Sequence, residues 1–333
     1  MFYKLFAIIA NTFVETIRQP IYGVLMWVAV GLLILNPSLA TYSLDRGSDI
    51  KIMMDVGLST LLLYGLFASV FSAVGVITRE IESHTVHTVV SNPVNRTTFL
   101  LGKFLGVSGA ILFSYYFLCV VFLLTVRHGV LETVADPYDM PVIVFGGLAL
   151  LLSLSAALWG NYVYGWHFST TLATWIVPLA TLALLAALSF DMKWNLQSPL
   201  QGFVKGDDSP EDFGRQIAFA VAMIFGAVLI LTSFAVALAT RFSLVVTLTL
   251  CAGVFVLGLV SDYFFGRFVD EGLIYQVLYG LVPNFQFTWA GDALTQEMII
   301  PLEQVGWVIS YSIIYALAVM ALGVAMFQSR EVS

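Results

Sequence analysis

Charge is what this 333-residue chain has least of: 11% of its residues are Asp, Glu, Lys or Arg, while 59% are hydrophobic. Water-soluble domains carry roughly a quarter charged residues, so a soluble globular fold is excluded for the bulk of the chain. Cysteine is scarce too. Cys119 and Cys251 both fall inside apolar runs, where they read as small buried hydrophobes and not as a disulfide framework or a metal cluster. A basic stripe is missing, and the formal net charge of −7 argues against a nucleic-acid partner. There is no G-x-x-x-x-G-K-[ST] phosphate loop, no Gly-x-Ser-x-Gly turn and no H-E-x-x-H; Leu101-Gly102-Lys103 is only a fragment of the first. The chain is therefore expected to hold no catalytic residues, no metal and no cofactor of its own.

Long apolar runs fill the place of charge. Stretches of 18 residues or more without Asp, Glu, Lys or Arg recur from end to end, each long enough to cross a hydrocarbon core about 30 Å thick as a helix. Barrel strands would alternate apolar and polar residues, which these runs do not. The expected fold is all-α, a polytopic helical membrane protein with about eight transmembrane helices. They are placed near 21–40, 56–77, 104–126, 142–164, 172–190, 217–239, 244–261 and 306–327.

Residues 1–20 differ from the rest. Phe2, Leu5, Phe6, Ile9, Phe13 and Ile17 recur at steps of three and four, while Lys4, Asn11, Glu15 and Arg18 gather on the other face. That pattern predicts an amphipathic helix lying in the headgroups, ended by Pro20, and the interruptions argue against a cleaved signal. Residues 21–333 then form one membrane domain.

Lys4, Arg18, Arg79, Arg96, Lys103, Arg241 and Arg330 fall on the side that also holds the N-terminus and residues 78–103, against only Glu15, Glu80, Glu82 and Glu331. The other side is strongly acidic. The basic residues are denser on the first side, which makes it the cytoplasmic one, with both termini there and the plasma membrane as the expected location. An acidic loop at 191–216 and a possible re-entrant hairpin at 262–304, broken by Pro283 and Pro301, fall outside. No Asp, Glu, Lys, Arg or His lies at mid-span depth, which disfavours an ion-coupled carrier, and any driving energy must come from a partner.

The most informative segment is 78–103, TREIESHTVHTVVSNPVNRTTFLLGK, polar and with its own helical rhythm. Val86, Val89 and Val90 share a face, and Ser91-Asn92-Pro93 stops it. This segment resembles the first cytoplasmic loop of ABC-2 type membrane subunits of ATP-binding cassette transporters, which reads approximately E-x-G-T, an apolar stretch, S-x-P-[VI]-x-R, then G-K. Glu82, Thr85, Ser91, Pro93, Val94, Arg96, Gly102 and Lys103 stand in the matching places, and His84 stands where the family usually has glycine. The start ANTFVETIRQP is similar to the family's connecting helix and FQSREVS to its charged tail.

The resemblance implies a permease subunit, most often of an exporter, that pairs with a second permease copy, identical or not, in the lipid bilayer. ATP and Mg would be bound by a separate cytoplasmic ATPase. The helix near Glu80–Val90 would dock into that ATPase, with Glu80, Glu82 and Arg96 at the rim and Val86 and Val89 buried. It also implies six spans, so the pair 172–190 and 217–239 would be an addition. A membrane scaffold remains the alternative, since it needs the same spans but not the polar helix.

Other residues carry two readings each. His84 and His87 read as interfacial histidines or as a partial metal site. Asp207, Asp208, Glu211 and Asp212 read as the acidic start of a helix or as a calcium cluster. Asn161, Tyr162, Tyr164, Trp166 and His167 form an interfacial aromatic belt or a substrate entrance. Tyr115 and Tyr116, with Ser108 and Ser114, line a path between subunits or bond helix to helix. Phe285, Phe287 and Trp289 anchor the outer hairpin or gate a dimer axis. Glu15 and Arg18 contact the ATPase or snorkel to headgroups.

Overall fold

The computed structural model describes residues 2–40, 49–82, 95–130, 138–199, 213–296 and 298–328. Among these the chain forms twelve α-helices: α1 (Phe2–Ile17), α2 (Pro20–Ala40), α3 (Asp49–Glu82), α4 (Arg96–His128), α5 (Met140–Tyr164), α6 (Phe168–Leu188), α7 (Phe213–Ala239), α8 (Leu244–Leu259), α9 (Ser261–Phe264), α10 (Leu273–Leu281), α11 (Gly291–Thr295) and α12 (Leu302–Gln328). Seven of them, α2 to α7 and α12, are long and apolar enough to cross a membrane. The remaining expected span, 244–261, is shorter. α8 stops at Leu259, and its continuation through Ser261–Glu271 bends away by 64°, at the point where Ser261, Asp262 and Gly266 interrupt the apolar run.

Between helices in lipid there is little hydrophobic drive, so association rests on close packing at small residues and on interhelical hydrogen bonds. Both are present here. Gly65 lies against Val228, Gly226 against Ser312 and Gly323 against Ala237, each too close to admit a Cβ without displacement. Ser69 and Thr232 share a 2.7 Å hydrogen bond between α3 and α7, Tyr64 donates to Ser114 Oγ at 2.5 Å, and Tyr115 donates to the Val221 carbonyl at 3.0 Å.

These contacts also set direction. Gly226–Ser312, Ala237–Gly323 and the Ile300 N–H bond to Gln216 Oε1 keep nearly the same offset, so α7 and α12 run parallel. Helices α3, α4 and α7 make the centre; 78%, 61% and 72% of their most apolar windows are buried, against 17% for α5. The most exposed span is therefore α5. α7, one of the pair that the resemblance implies as an addition, is 72% buried in its most apolar window.

Residues 262–304 are a run of short helices that turns back into the bundle. Tyr315 donates to the Leu281 carbonyl at 2.6 Å, the Asn284 N–H donates to Tyr311 Oη, and the Phe285 N–H donates to the Gly258 carbonyl. Tyr315 is 13 residues into α12, about 20 Å along its axis, so Leu281 reaches the middle of the last helix. Phe285 is buried there, as the anchoring reading expects, while Phe287 is exposed.

At the far end from the termini, Arg127 pairs with Asp139 at 3.3 Å and donates to the Phe190 carbonyl at 2.6 Å. Both charged groups are buried, and Asp139 also caps α5 by accepting from the Val142 N–H. Together they tie α4 to both strands of chain that enter and leave the α5–α6 hairpin.

Candidate functional site

The amphipathic pattern predicts a first helix set apart in the headgroups; the structure packs α1 lengthwise along the first turns of α4. Leu5 and Ile8 meet Gly102, Ile9 and Thr12 meet Gly106, and Phe13 meets Gly109 and Phe113. Glycines at steps of four and three leave a groove that lets the two backbones approach, and a Cβ at Gly106 would stand 2.8 Å from the Ile9 carbonyl oxygen. The buried face of α1 is the one that carries Thr12, Thr16 and Ile17, while Phe2, Tyr3 and Phe6 are exposed. Leu5, Ile8, Ile9, Phe13 and Ile17 thus face protein together with Thr12 and Thr16, and Phe2, Tyr3 and Phe6 are left exposed.

On the same stretch, Lys103 is buried to 1% exposure. Its ammonium lies 2.7 Å from Glu80 Oε1 at the end of α3 and 3.6 Å from Glu15 Oε2 on α1, with the Phe99 ring 5.7 Å away. A buried ammonium persists only where paired, and here two partly exposed carboxylates from two other helices pair it. The node joins α1, α3 and α4 at one point. Spacing in sequence does not show it, since Lys103 is 23 residues from Glu80 and far from Glu15.

A second junction lies nearby. The Arg96 guanidinium donates to the Phe327 and Gln328 carbonyls at 3.1 and 3.0 Å and lies 5.7 Å from the Phe327 ring. Arg241, between α7 and α8, donates to the Met326 carbonyl at 2.6 Å. Two cations thus meet the last carbonyls of α12, the end at which the helix dipole favours positive charge. These bonds bring the ends of α1, α3, α4, α7 and α12 to one face of the bundle, the grouping that the charge distribution predicts.

The residues singled out in the sequence fall as follows. Glu80 and Glu15 face Lys103, and Arg96 faces the end of α12, so each of the three bonds within the chain. Arg18, just past the end of α1, is exposed. Glu82 closes α3. Thr85, Val86, Val89, Ser91 and Pro93, with His84 and His87, lie outside the described residues, as do Asp207, Asp208, Glu211 and Asp212.

The supposed path residues are not brought together. Tyr115 is buried against Phe225 of α7, Tyr116 shares a 3.1 Å hydrogen bond with Thr181 of α6, and Asn161 donates to the Trp166 carbonyl beyond the end of α5. Tyr115 was better described by helix-to-helix bonding, because its hydroxyl is satisfied by a carbonyl of α7. Gly160 packs under Trp166, and Tyr164 stacks on the same ring, so the aromatic belt closes the turn between α5 and α6.

Comparison of the chain with protein-family models, with curated proteins and with solved structures finds no match.

Proposed function

We propose that this chain is the membrane subunit of an ABC-2 type transporter, working in export, with ATP and Mg bound by a separate cytoplasmic ATPase and a second permease copy completing the pathway. The observation that carries the reading is the polar segment 78–103, with its E-x-x-T, S-x-P-V-x-R and G-K residues, set between the two longest helices of the bundle.

The geometry at its two ends supports a mechanical role. The segment leaves α3 just after Glu80 and enters α4 at Arg96, so its displacement acts at once on Lys103, on α1 and, through Arg96, on the end of α12. Thr12 Oγ1, Thr16 Oγ1 and the Gln19 amide of the α1 region are buried without a hydrogen-bond partner, so close packing and the Lys103–Glu15 pair hold that seam. Closure of two ATPases would shift the equilibrium between two arrangements of the spans through differential contacts at segment 83–94. The chain itself performs no chemistry in this scheme, and the ATPase contact falls to Glu82, Thr85, Val86, Val89, Ser91 and Pro93.

Charge reversal of Glu82 tests it. Glu82→Lys is expected to abolish co-purification of a cytoplasmic ATPase with this chain and to remove the ATP hydrolysis that co-purifies, with the spans still folded. An unchanged complex and unchanged ATP hydrolysis would overturn the proposal.

A further inference from the structure

Helix α1 and the turn that follows it bury three polar side chains. Thr12 and Thr16 lie one above the other on α1, Gln19 comes just before α2, and their exposures are 0%, 0% and 5%. A hydroxyl inside a helix ordinarily returns its proton to a carbonyl one turn back, as Ser69, Ser114, Thr125 and Thr232 do here. Thr12 and Thr16 do not. Neither hydroxyl has a hydrogen-bond partner within the chain, nor has the oxygen or the nitrogen of the Gln19 amide.

The facing helices repeat the pattern. Thr12 packs on Gly106 of α4, and the Gln19 amide stands over Gly75 of α3, where a Cβ would lie 2.8 Å from both of its polar atoms. Ser72 and Thr78, three residues to either side of Gly75, fall on the same face of α3. Their hydroxyl oxygens are buried and unpartnered as well. Six polar atoms from α1, its turn and α3 therefore line one corner, and Gly75 keeps part of its surface accessible, which leaves space beside the amide.

One side of the corner is sealed. Ile17, Tyr22, Ala110 and Ala173 form a separate buried cluster with Phe13 and Phe113 packed on it, and Tyr22 donates to the Ala110 carbonyl at 2.7 Å. The other side leads to the Lys103 node. Thr78 is two residues from Glu80 there, and the Glu80 and Glu15 carboxylates keep 23% and 28% exposure, so solvent stands at that end.

The chemistry of the six atoms selects the occupant. An anion cannot donate to the amide oxygen, and a metal ion cannot accept from the amide nitrogen; water does both, and hydroxyls serve it in either sense. Buried water makes about three such bonds to groups that the protein leaves unsatisfied. We infer that the corner is a water site, in which a short file of molecules entering beside Glu15 and Glu80 bridges Gln19 and Thr16 to Ser72 and Thr78. The site lies within one chain and needs no ATPase, so it stands or falls apart from the transporter reading.

Water-edited solid-state NMR of the whole isotope-labelled chain in nanodiscs reads this in the unmodified protein, because magnetisation passes from water protons to carbons close to them. The side chains of Thr16 and Gln19 are expected to build up at least about threefold faster than Thr232, which is equally buried but bonded to the Val228 carbonyl. Build-up no faster than at Thr232 would overturn the site.

Two variants give a second reading. In a dry corner Gln19→Met and Ser72→Ala remove unsatisfied polar atoms and raise the melting temperature. In a hydrated one they take partners from the water, and each is expected to lower it by about 2 °C or more. Gln19→Met is also expected to slow the build-up at Thr16 towards that of Thr232. Melting raised or unchanged in both variants would overturn the site.

Discussion

Replacing Lys103 by methionine removes the ammonium while keeping most of the apolar stem. Breaking one side of a buried ion pair costs about 3–5 kcal/mol, because the remaining charge loses its compensation. Here the carboxylates of Glu80 and Glu15 keep 23% and 28% exposure. Water recovers part of the loss, which brings the expected cost of K103M to about 2–3 kcal/mol. Glu80 makes the 2.7 Å hydrogen bond, so E80Q should cost about 1–2 kcal/mol; Glu15, at 3.6 Å, lies beyond hydrogen-bond reach, and E15Q should cost less than about 1 kcal/mol.

The order K103M, then E80Q, then E15Q is the decisive part. It is read by thermal unfolding of each variant in lipid nanodiscs, with the K103M/E80Q pair added. Residues that share one contact are not additive, so the double variant should lose clearly less than the two single losses together. Equal melting of K103M and the parent, a larger loss in E15Q than in E80Q, or full additivity would refute the node as a joint between α1, α3 and α4.

The glycine groove gives a graded series: Gly106→Ala, whose Cβ would meet the Ile9 backbone oxygen at 2.8 Å, should lower stability by about 1–3 kcal/mol, while Gly109→Ala, with Phe13 at 3.5 Å, should be near neutral in the same melts. Arg127→Met leaves the buried Asp139 carboxylate without its cation and should cost about 3–5 kcal/mol, seen as a large fall in melting temperature. Arg96→Ala and Arg241→Ala should each speed amide hydrogen exchange at the end of α12, around Met326–Gln328, with the centre of α12 unchanged; protection equal to the parent's would count against the junction.

Much of this architecture can be read from composition. Runs of apolar residues with no charge mark helices that must satisfy their own backbone, and seven of eight expected spans appear as whole helices. The ends are less legible. α3 begins at Asp49 and α4 at Arg96, well before the apolar windows, because Lys51, Asp55 and Lys103 extend the helices through polar turns that hydropathy alone assigns to loops. The break after Leu259 shows only as a cluster of Ser, Asp and Gly.

The site was half visible. Lys103 stands out only as part of a G-K pair, yet Gly102, Gly106 and Gly109 at steps of four and three are a signal for close helix approach, and they point to the face on which α1 docks. That Glu15 and Glu80 converge on Lys103 follows from the packing of three helices, which pattern in one helix does not encode. Tyr115 and Tyr116 are adjacent in sequence and so point to different neighbours, α7 and α6, which is why they do not form a common path.

The central claim is that residues 83–94 receive motion from a nucleotide-hydrolysing partner. A photoreactive amino acid placed at Val86 in the native membrane, followed by mass spectrometry of the adduct, tests it directly. The account predicts a crosslink to a cytoplasmic ATPase that carries a phosphate-binding loop, lost in Glu82→Lys. Adducts confined to lipid, or to a protein on the opposite side of the membrane, would contradict it.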